Sequence, residues 1–158
     1  MSDGVRLAVA LLVPLGIGIL SGWVTSAGVR DWYPRLRKPW FTPPSWVFGP
    51  VWTVLYLMMG YALYRVWSID VNGGGVGALP WVLFAVQLAL NAAWSPVFFL
   101  LRRPGAAIPV VLALWLAVCA TLVVFWRLDT VAGLLLLPYL VWVSLASALN
   151  VRIHQLNP

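Results

Sequence analysis

Acidic and metal-binding side chains are scarce in this 158-residue chain. The carboxylates are Asp3, Asp31, Asp70 and Asp129, with no glutamate. There is one cysteine, Cys119, and one histidine, His154. A single cysteine excludes an internal disulfide. One Cys and one His cannot by themselves build a Cys/His metal cluster, so no metal site and no cofactor are expected. All four carboxylates fall outside the long apolar runs. Ion- or proton-coupled transport, which needs an ionisable group within the membrane, is therefore disfavoured. A lone histidine in the C-terminal tail leaves no Ser/His/Asp or Cys/His arrangement. The glycine-rich segment DVNGGGVG at 70–77 lacks the lysine of a P-loop and follows no strand.

Charge is scarce overall. Only 9% of residues are charged and 63% are hydrophobic, with a mean hydropathy of +0.94. Soluble domains carry about 25% charged residues, so this composition is that of a membrane protein. The net charge of +6 sits on too few groups to suggest nucleic acid and reads instead as loop bias. What the chain has in excess is tryptophan, eleven in all. Amphipathic aromatics collect at membrane interfaces, but this number suggests that some line an interior.

A membrane span needs about 20 apolar residues. Five segments qualify, at 7–29, 45–64, 79–101, 106–126 and 131–151. The expected fold is all-α, a single integral membrane bundle of five transmembrane helices. The first span is too long for the apolar core of a signal peptide and is read as retained. Gly16, Gly18 and Gly22 make it slim enough for a close neighbour. Residues 30–44 read as a loop in which Pro34, Pro39, Pro43 and Pro44 forbid a regular helix. Residues 70–77 read as a flexible connection and the tail from Arg152 as short and polar. Seven cations (Arg30, Arg35, Arg37, Lys38, Arg102, Arg103 and Arg152) fall on one side of this arrangement. Three (Arg6, Arg65 and Arg127) fall on the other. By the positive-inside rule, the first loop and the C-terminus are cytoplasmic and the N-terminus is outside.

The stretch at 32–56, WYPRLRKPWFTPPSWVFGPVWTVLY, joins a proline- and cation-rich half to an aromatic helix start. It reads as a lid followed by one wall of a pocket. On the second span Gly49, Trp52, Tyr56 and Gly60 align. On the third, Gln87, Asn91 and Ser95 form a polar stripe about 200° from a small-residue stripe of Ala85, Ala89 and Ala93. The polar stripe is either interhelical hydrogen-bond glue or the wall of a ligand site. The alanines pack either within the monomer or, as the favoured reading, across a homodimer. On the fourth span Trp115, Cys119 and Trp126 align. On the fifth, Tyr139, Trp142, Ala146 and Asn150 share a face, with Trp142 near mid-span where an interfacial role does not apply. Together these faces describe a deep aromatic pocket with few polar groups, the general build of a small-molecule site.

The motifs at 32–56, QLALNAAWSPVFF at 87–99 and PYLVWVSLASALN at 138–150 resemble, in order and spacing, the translocator protein family. Its members are also called tryptophan-rich sensory proteins or peripheral benzodiazepine receptors. The resemblance covers essentially the whole chain. It implies a five-helix membrane protein, often dimeric, that binds porphyrins such as protoporphyrin IX in a pocket under the first loop. Residue by residue, Trp52 and Trp142 match two tryptophans implicated in porphyrin photodegradation in bacterial members. Asn91 matches a pocket asparagine, Ala146 a small pocket position and Tyr33 a lid residue. Trp115 and Cys119 match by position in the fourth helix. Ala85, Ala89 and Ala93 match the family's small-residue dimer contacts.

Animal members also bind cholesterol and benzodiazepine-type ligands. Their cholesterol motif has a tyrosine shortly after ALN. Here Val151 and Arg152 follow Asn150, so sterol or benzodiazepine-type ligands are expected only weakly. The resemblance thus implies porphyrin binding for transport, sensing or homeostasis, with propionates reaching Arg35, Arg37 or Lys38. Its alternatives are light- and oxygen-dependent porphyrin degradation through Trp52 and Trp142, or a regulatory role among membrane partners. The expected partners are a tetrapyrrole ligand, membrane lipid and a second copy of the chain.

Overall fold

A computed structural model describes residues 1–158, and it contains five helices long and apolar enough to cross a membrane. They are α1 (Asp3–Ala27), α2 (Ser45–Ile69), α3 (Leu79–Ser95), α4 (Pro104–Leu128) and α5 (Thr130–Leu156). Their starts carry ordinary helix-start chemistry. The Ser2 hydroxyl accepts from the Val5 amide at 3.4 Å, and Asp129 Oδ1 accepts from the Ala132 amide at 2.9 Å. Pro80 and Pro104 sit in the first turns of α3 and α4, where a missing N–H leaves nothing unsatisfied.

Helical structure runs further than the sequence suggests. The first helix continues through a wide π-type turn, Gly28–Trp32, and a 3₁₀ turn, Tyr33–Arg35. The expected loop at 30–44 is therefore non-helical only from Leu36 on. Pro34 does not stop the chain, because it occupies an early position of the 3₁₀ turn, where no amide donor is needed. Similar wide turns extend α2 over Asp70–Gly74, into the expected glycine-rich connection, and α3 over Pro96–Leu100. Far from ending near Arg152, α5 reaches Leu156, because buried Ile153 carries its apolar face one turn further.

The helices close a ring in the order α1, α2, α5, α4, α3, with α3 returning to touch α1. Along one face of α5, Leu136, Tyr139, Val143, Asn150 and Ile153 are buried. Between α3 and α4, Phe84 stacks on Phe125 with ring planes 7° apart. The outer surface is apolar, with Leu12, Ile19, Val82, Leu116 and Val141 all exposed. In lipid such residues carry no penalty. Trp23, Trp40 and Trp46 are exposed around the end of the bundle that bears the first loop, where indole rings suit the headgroup region.

Glycines determine how α1 and α2 cross. A Cβ on Gly60 would meet the Ala10 carbonyl oxygen at 2.5 Å and Leu11 Cα at 2.8 Å. The two backbones therefore touch at the N-terminal end of the bundle. Nearer the first loop, Cβ positions on Gly22 and Gly49 have nothing within 4 Å. The same helices have separated there. At the loop end, Gly28 is packed so closely on the Phe99 carbonyl that no Cβ fits.

Candidate functional site

The space opened by this divergence is a cavity of about 410 Å³ in the loop-end half of the bundle. Pockets that hold small organic ligands begin at about 300 Å³. Its walls come from α1, the first half of α2 and the end of α3. The aromatic lining is Tyr33, Phe48, Trp52, Tyr56, Trp94 and Phe99, and Ser21, Thr25 and Arg30 supply polar groups from the first helix and its extension. Arg30 is the only charged residue of the lining. Ile19, Gly22, Gly49 and Thr53 are exposed, so the cavity is open along the α1–α2 seam. The floor is Tyr56, whose ring fills the place of a Gly18 side chain.

The roof is Tyr33. It is 5% exposed and meets Phe48, Phe98 and Phe99 edge-on at 6.4, 6.4 and 5.5 Å. Lys38 Nζ lies 4.9 Å from the centre of the same ring. It also donates to the Pro34 and Leu36 carbonyls, each at 3.2 Å. Lys38 thus holds the roof together and does not line the cavity. The cation at the cavity is Arg30, which the sequence reading passed over in favour of Arg35, Arg37 and Lys38.

Trp52 is the centre of the aromatic wall. It stacks on Tyr56 at 5.6 Å with ring planes 27° apart. Tyr139 and Trp142 of α5 meet it edge-on from behind at 6.3 and 6.4 Å. Trp142 also packs on Phe48 at 5.6 Å, and its indole Nε1 is buried without a partner. Its outer side borders a shallow apolar crevice between α2 and α5, beside Pro50 and Pro138.

A chain of buried hydrogen bonds fixes Tyr56. Its hydroxyl donates to Asn91 Oδ1 at 2.6 Å, and Asn91 Nδ2 donates to the Tyr139 hydroxyl at 2.8 Å. Tyr139 in turn donates to Gln87 Oε1 at 2.9 Å, and Gln87 Nε2 lies 3.4 Å from Met59 Sδ. Both ends of the Asn91 amide are therefore in use. Asn150 is engaged in the same way, accepting from Trp94 Nε1 at 2.9 Å and donating to the Pro104 carbonyl at 2.7 Å. Each asparagine holds an aromatic wall residue from behind. Of the two readings left open for the polar stripe on α3, interhelical hydrogen bonding is the one that describes Gln87 and Asn91.

The expected site residues therefore divide into groups. Tyr33, Trp52 and Tyr56 line the cavity, Tyr139 and Trp142 back Trp52, and Asn91 and Asn150 position wall residues. Trp115, Cys119 and Ala146 do not line it. Trp115 Nε1 instead donates to Ser144 Oγ at 2.8 Å on the α4–α5 seam, and Ala146 is buried in the bundle. Ala85, Ala89 and Ala93 are exposed on α3. The sequence reading missed Ser21, Thr25, Phe48, Trp94 and Phe99 along with Arg30. One signal for the first two was available. Gly18, Ser21, Gly22 and Thr25 recur at three- and four-residue spacing on an otherwise apolar helix.

Comparison with known proteins covers nearly the whole chain. The family model described as TspO/MBR family matches residues 10–156. The tryptophan-rich protein TspO of Archaeoglobus fulgidus is 42% identical over 152 residues, 96% of this chain and 97% of its own. The tryptophan-rich sensory protein of Cereibacter sphaeroides is 43% identical over 127 residues, covering 80% and 77%. The human translocator protein is 40% identical over 143 residues, covering 90% and 84%.

Proposed function

This chain belongs to the TspO/MBR family of multi-pass membrane proteins, and from that premise we propose that it binds planar hydrophobic tetrapyrroles of the protoporphyrin IX type, for their transport, sensing or homeostasis. The observation that carries this reading is the cavity under Tyr33, with Trp52 held flat on Tyr56 as one wall. A rigid aromatic macrocycle suits such a wall, because offset ring contacts contribute about 0.5–1.5 kcal/mol beyond simple burial. The opening between α1 and α2 lets a lipid-soluble ligand enter sideways, without crossing the polar loop. The loop end is taken as cytoplasmic from its excess of cations.

The test is a titration of the protein in nanodiscs with protoporphyrin IX, read by quenching of tryptophan fluorescence and by the porphyrin absorption band. Trp52→Ala is expected to weaken binding about tenfold, the upper end of one lost ring contact. Unchanged affinity would remove Trp52 from the site.

A second reading is supported by the edge-on contact of Trp52 with Trp142 at 6.4 Å. Two oxidisable indoles in contact, one of them at the cavity, are placed to supply electrons to a photoexcited porphyrin with dioxygen as the oxidant. Illumination of the complex in air separates the two readings. Degradation requires that loss of the porphyrin band stop in the Trp52→Phe, Trp142→Phe double variant. Equal bleaching leaves binding alone. The exposed stripe of Ala85, Ala89 and Ala93 is assigned to self-association of two copies through α3.

A further inference from the structure

We propose that the cavity selects amphipathic acids, with Arg30 at its mouth taking a ligand carboxylate and the Ser21 hydroxyl, deeper on the same wall, taking a polar group of the ligand body. The proposal rests on the tetrapyrrole reading, since it uses the same cavity, and it adds which chemical form of the ligand is preferred and which residues decide it.

Two independent observations carry it. The first is charge placement. Arg30 is the one cation in the lining, no carboxylate lines the cavity, and Asp31, next in sequence, is not part of the wall. The other cations of this end are turned to other work or lie elsewhere. Lys38 is bound to two carbonyls and covers Tyr33, and Arg35 and Arg37 do not reach the lining. Arg30 is exposed at the loop end, where a charge remains hydrated while the cavity is empty. A guanidinium there offers a fork of donors that matches a carboxylate.

The second is an unmet hydrogen bond. Ser21 belongs to the cavity wall, and its Oγ is buried with no partner. The other hydroxyls of this segment close back onto their own helix. Thr25 Oγ1 donates to the Ser21 carbonyl at 2.8 Å and Ser26 Oγ to the Trp23 carbonyl at 2.8 Å. Ser21 is the exception, although a serine in an apolar helix normally bonds to a carbonyl one turn back. A buried polar group left unpaired is unfavourable, and a bound ligand with a donor or acceptor at that depth satisfies it. The ligand class is therefore an apolar, largely flat body with an anionic end at the mouth and a hydrogen-bonding group deeper inside.

The experiment compares protoporphyrin IX with its dimethyl ester, which keeps the macrocycle and loses both carboxylates. The full-length protein is used in nanodiscs of zwitterionic lipid. Wild type is expected to bind the acid about tenfold more tightly than the ester, the scale of one charge-assisted pair near a surface. Arg30→Gln should abolish that preference by weakening the acid alone, and Arg35→Gln, which lies outside the cavity, should leave it intact. Ser21→Ala should weaken both probes about three- to tenfold while raising the melting temperature of the empty protein. The mutation removes an unsatisfied group from the empty protein and a hydrogen bond from the complex. A purely structural serine would not show that opposition.

Equal binding of acid and ester by wild type overturns the inference and leaves the tetrapyrrole reading standing. So does a preference that persists in Arg30→Gln or is lost equally in Arg35→Gln. A Ser21→Ala protein that is unchanged in affinity overturns the role of the hydroxyl. Binding of neither probe overturns the tetrapyrrole reading, and this inference with it.

Discussion

Asn157, near the end of the chain, clasps the backbone of Arg37 in the first loop from both sides. Its Oδ1 accepts from the Arg37 amide at 3.0 Å, and its Nδ2 donates to the Arg37 carbonyl at 2.9 Å. The same Nδ2 donates to the Ile153 carbonyl at 2.8 Å. One side-chain amide therefore ties the loop to the last turn of α5, beside the Tyr33–Lys38 roof. Asn157→Ala should free residues 36–44 while sparing the bundle. Hydrogen exchange of the Arg37 amide is expected to rise at least tenfold, corresponding to loss of about 1.5 kcal/mol of local hydrogen bonding. Exchange within α2 and α4 should not change. Unaltered exchange at Arg37 would show that the loop is held by packing alone.

Tyr139 links Gln87 and Asn91 of α3 through its hydroxyl. Tyr139→Phe leaves Asn91 Nδ2 and Gln87 Oε1 buried without partners. The expected cost is about 1–3 kcal/mol of stability, read as a lower thermal midpoint in detergent. Asn91 would then hold Tyr56 less firmly, so porphyrin affinity should fall as well, although neither Tyr139 nor Asn91 lines the cavity. A variant as stable as wild type would mean that the network closes through other groups.

Asp129 gives the N-terminal end of the bundle a pH dependence. Arg65 Nε and Nη2 donate to its carboxylate at 2.7–3.1 Å, and the Ala132 amide adds a further bond. The Arg65 hydrogen bonds are the main reason its pKa lies below the ordinary value of 3.8; partial burial opposes them. A lowered folded-state pKa means that the unfolded chain takes up the proton first as pH falls. The stabilisation is therefore complete well above pH 4 and is lost below it, through the folded pKa. The pair is partly exposed, so about 1 kcal/mol is expected after solvent screening. The difference in stability between wild type and Asp129→Asn should be full at pH 6 and shrink steadily below pH 4. A difference independent of pH would assign the effect to helix capping instead.

The self-association proposed through α3 predicts a steric effect on the outer face. Ala89→Leu places a large side chain in the centre of the exposed alanine stripe. Cross-linking in membranes should show at least a fivefold loss of dimer with no change in the monomer's thermal midpoint. Undiminished dimer would move the contact to another helix.

The number, order and approximate limits of the helices were legible because lipid imposes a simple rule. Long apolar runs must cross it as helices, since the backbone has no other way to satisfy its hydrogen bonds. The shared face of Trp52 and Tyr56 was legible for a related reason, whereas Tyr33 was pointed to only by the family resemblance. Proline and cations exclude the residues before that face from the membrane, and helical spacing lines up its members. Where the helices really end was not legible. Pro34 and the glycines of 70–77 carry strong breaker signals, and in the fold they occupy turns that tolerate them.

What the sequence by itself determined, then, was the solvent of this protein and the face each helix offers. The tertiary structure decided which faces meet. Asn91 and Asn150 look alike as ligand groups and as structural glue until their partners are known, and those partners lie 35 to 56 residues away in the chain. Arg30 sits among several equivalent loop cations until α1 and α2 diverge and leave only its position at the opening. Helical periodicity is a local property of the backbone. A cavity exists only where neighbouring helices fail to touch, and that depends on backbone contacts such as Gly60 on Ala10, made between residues 50 apart.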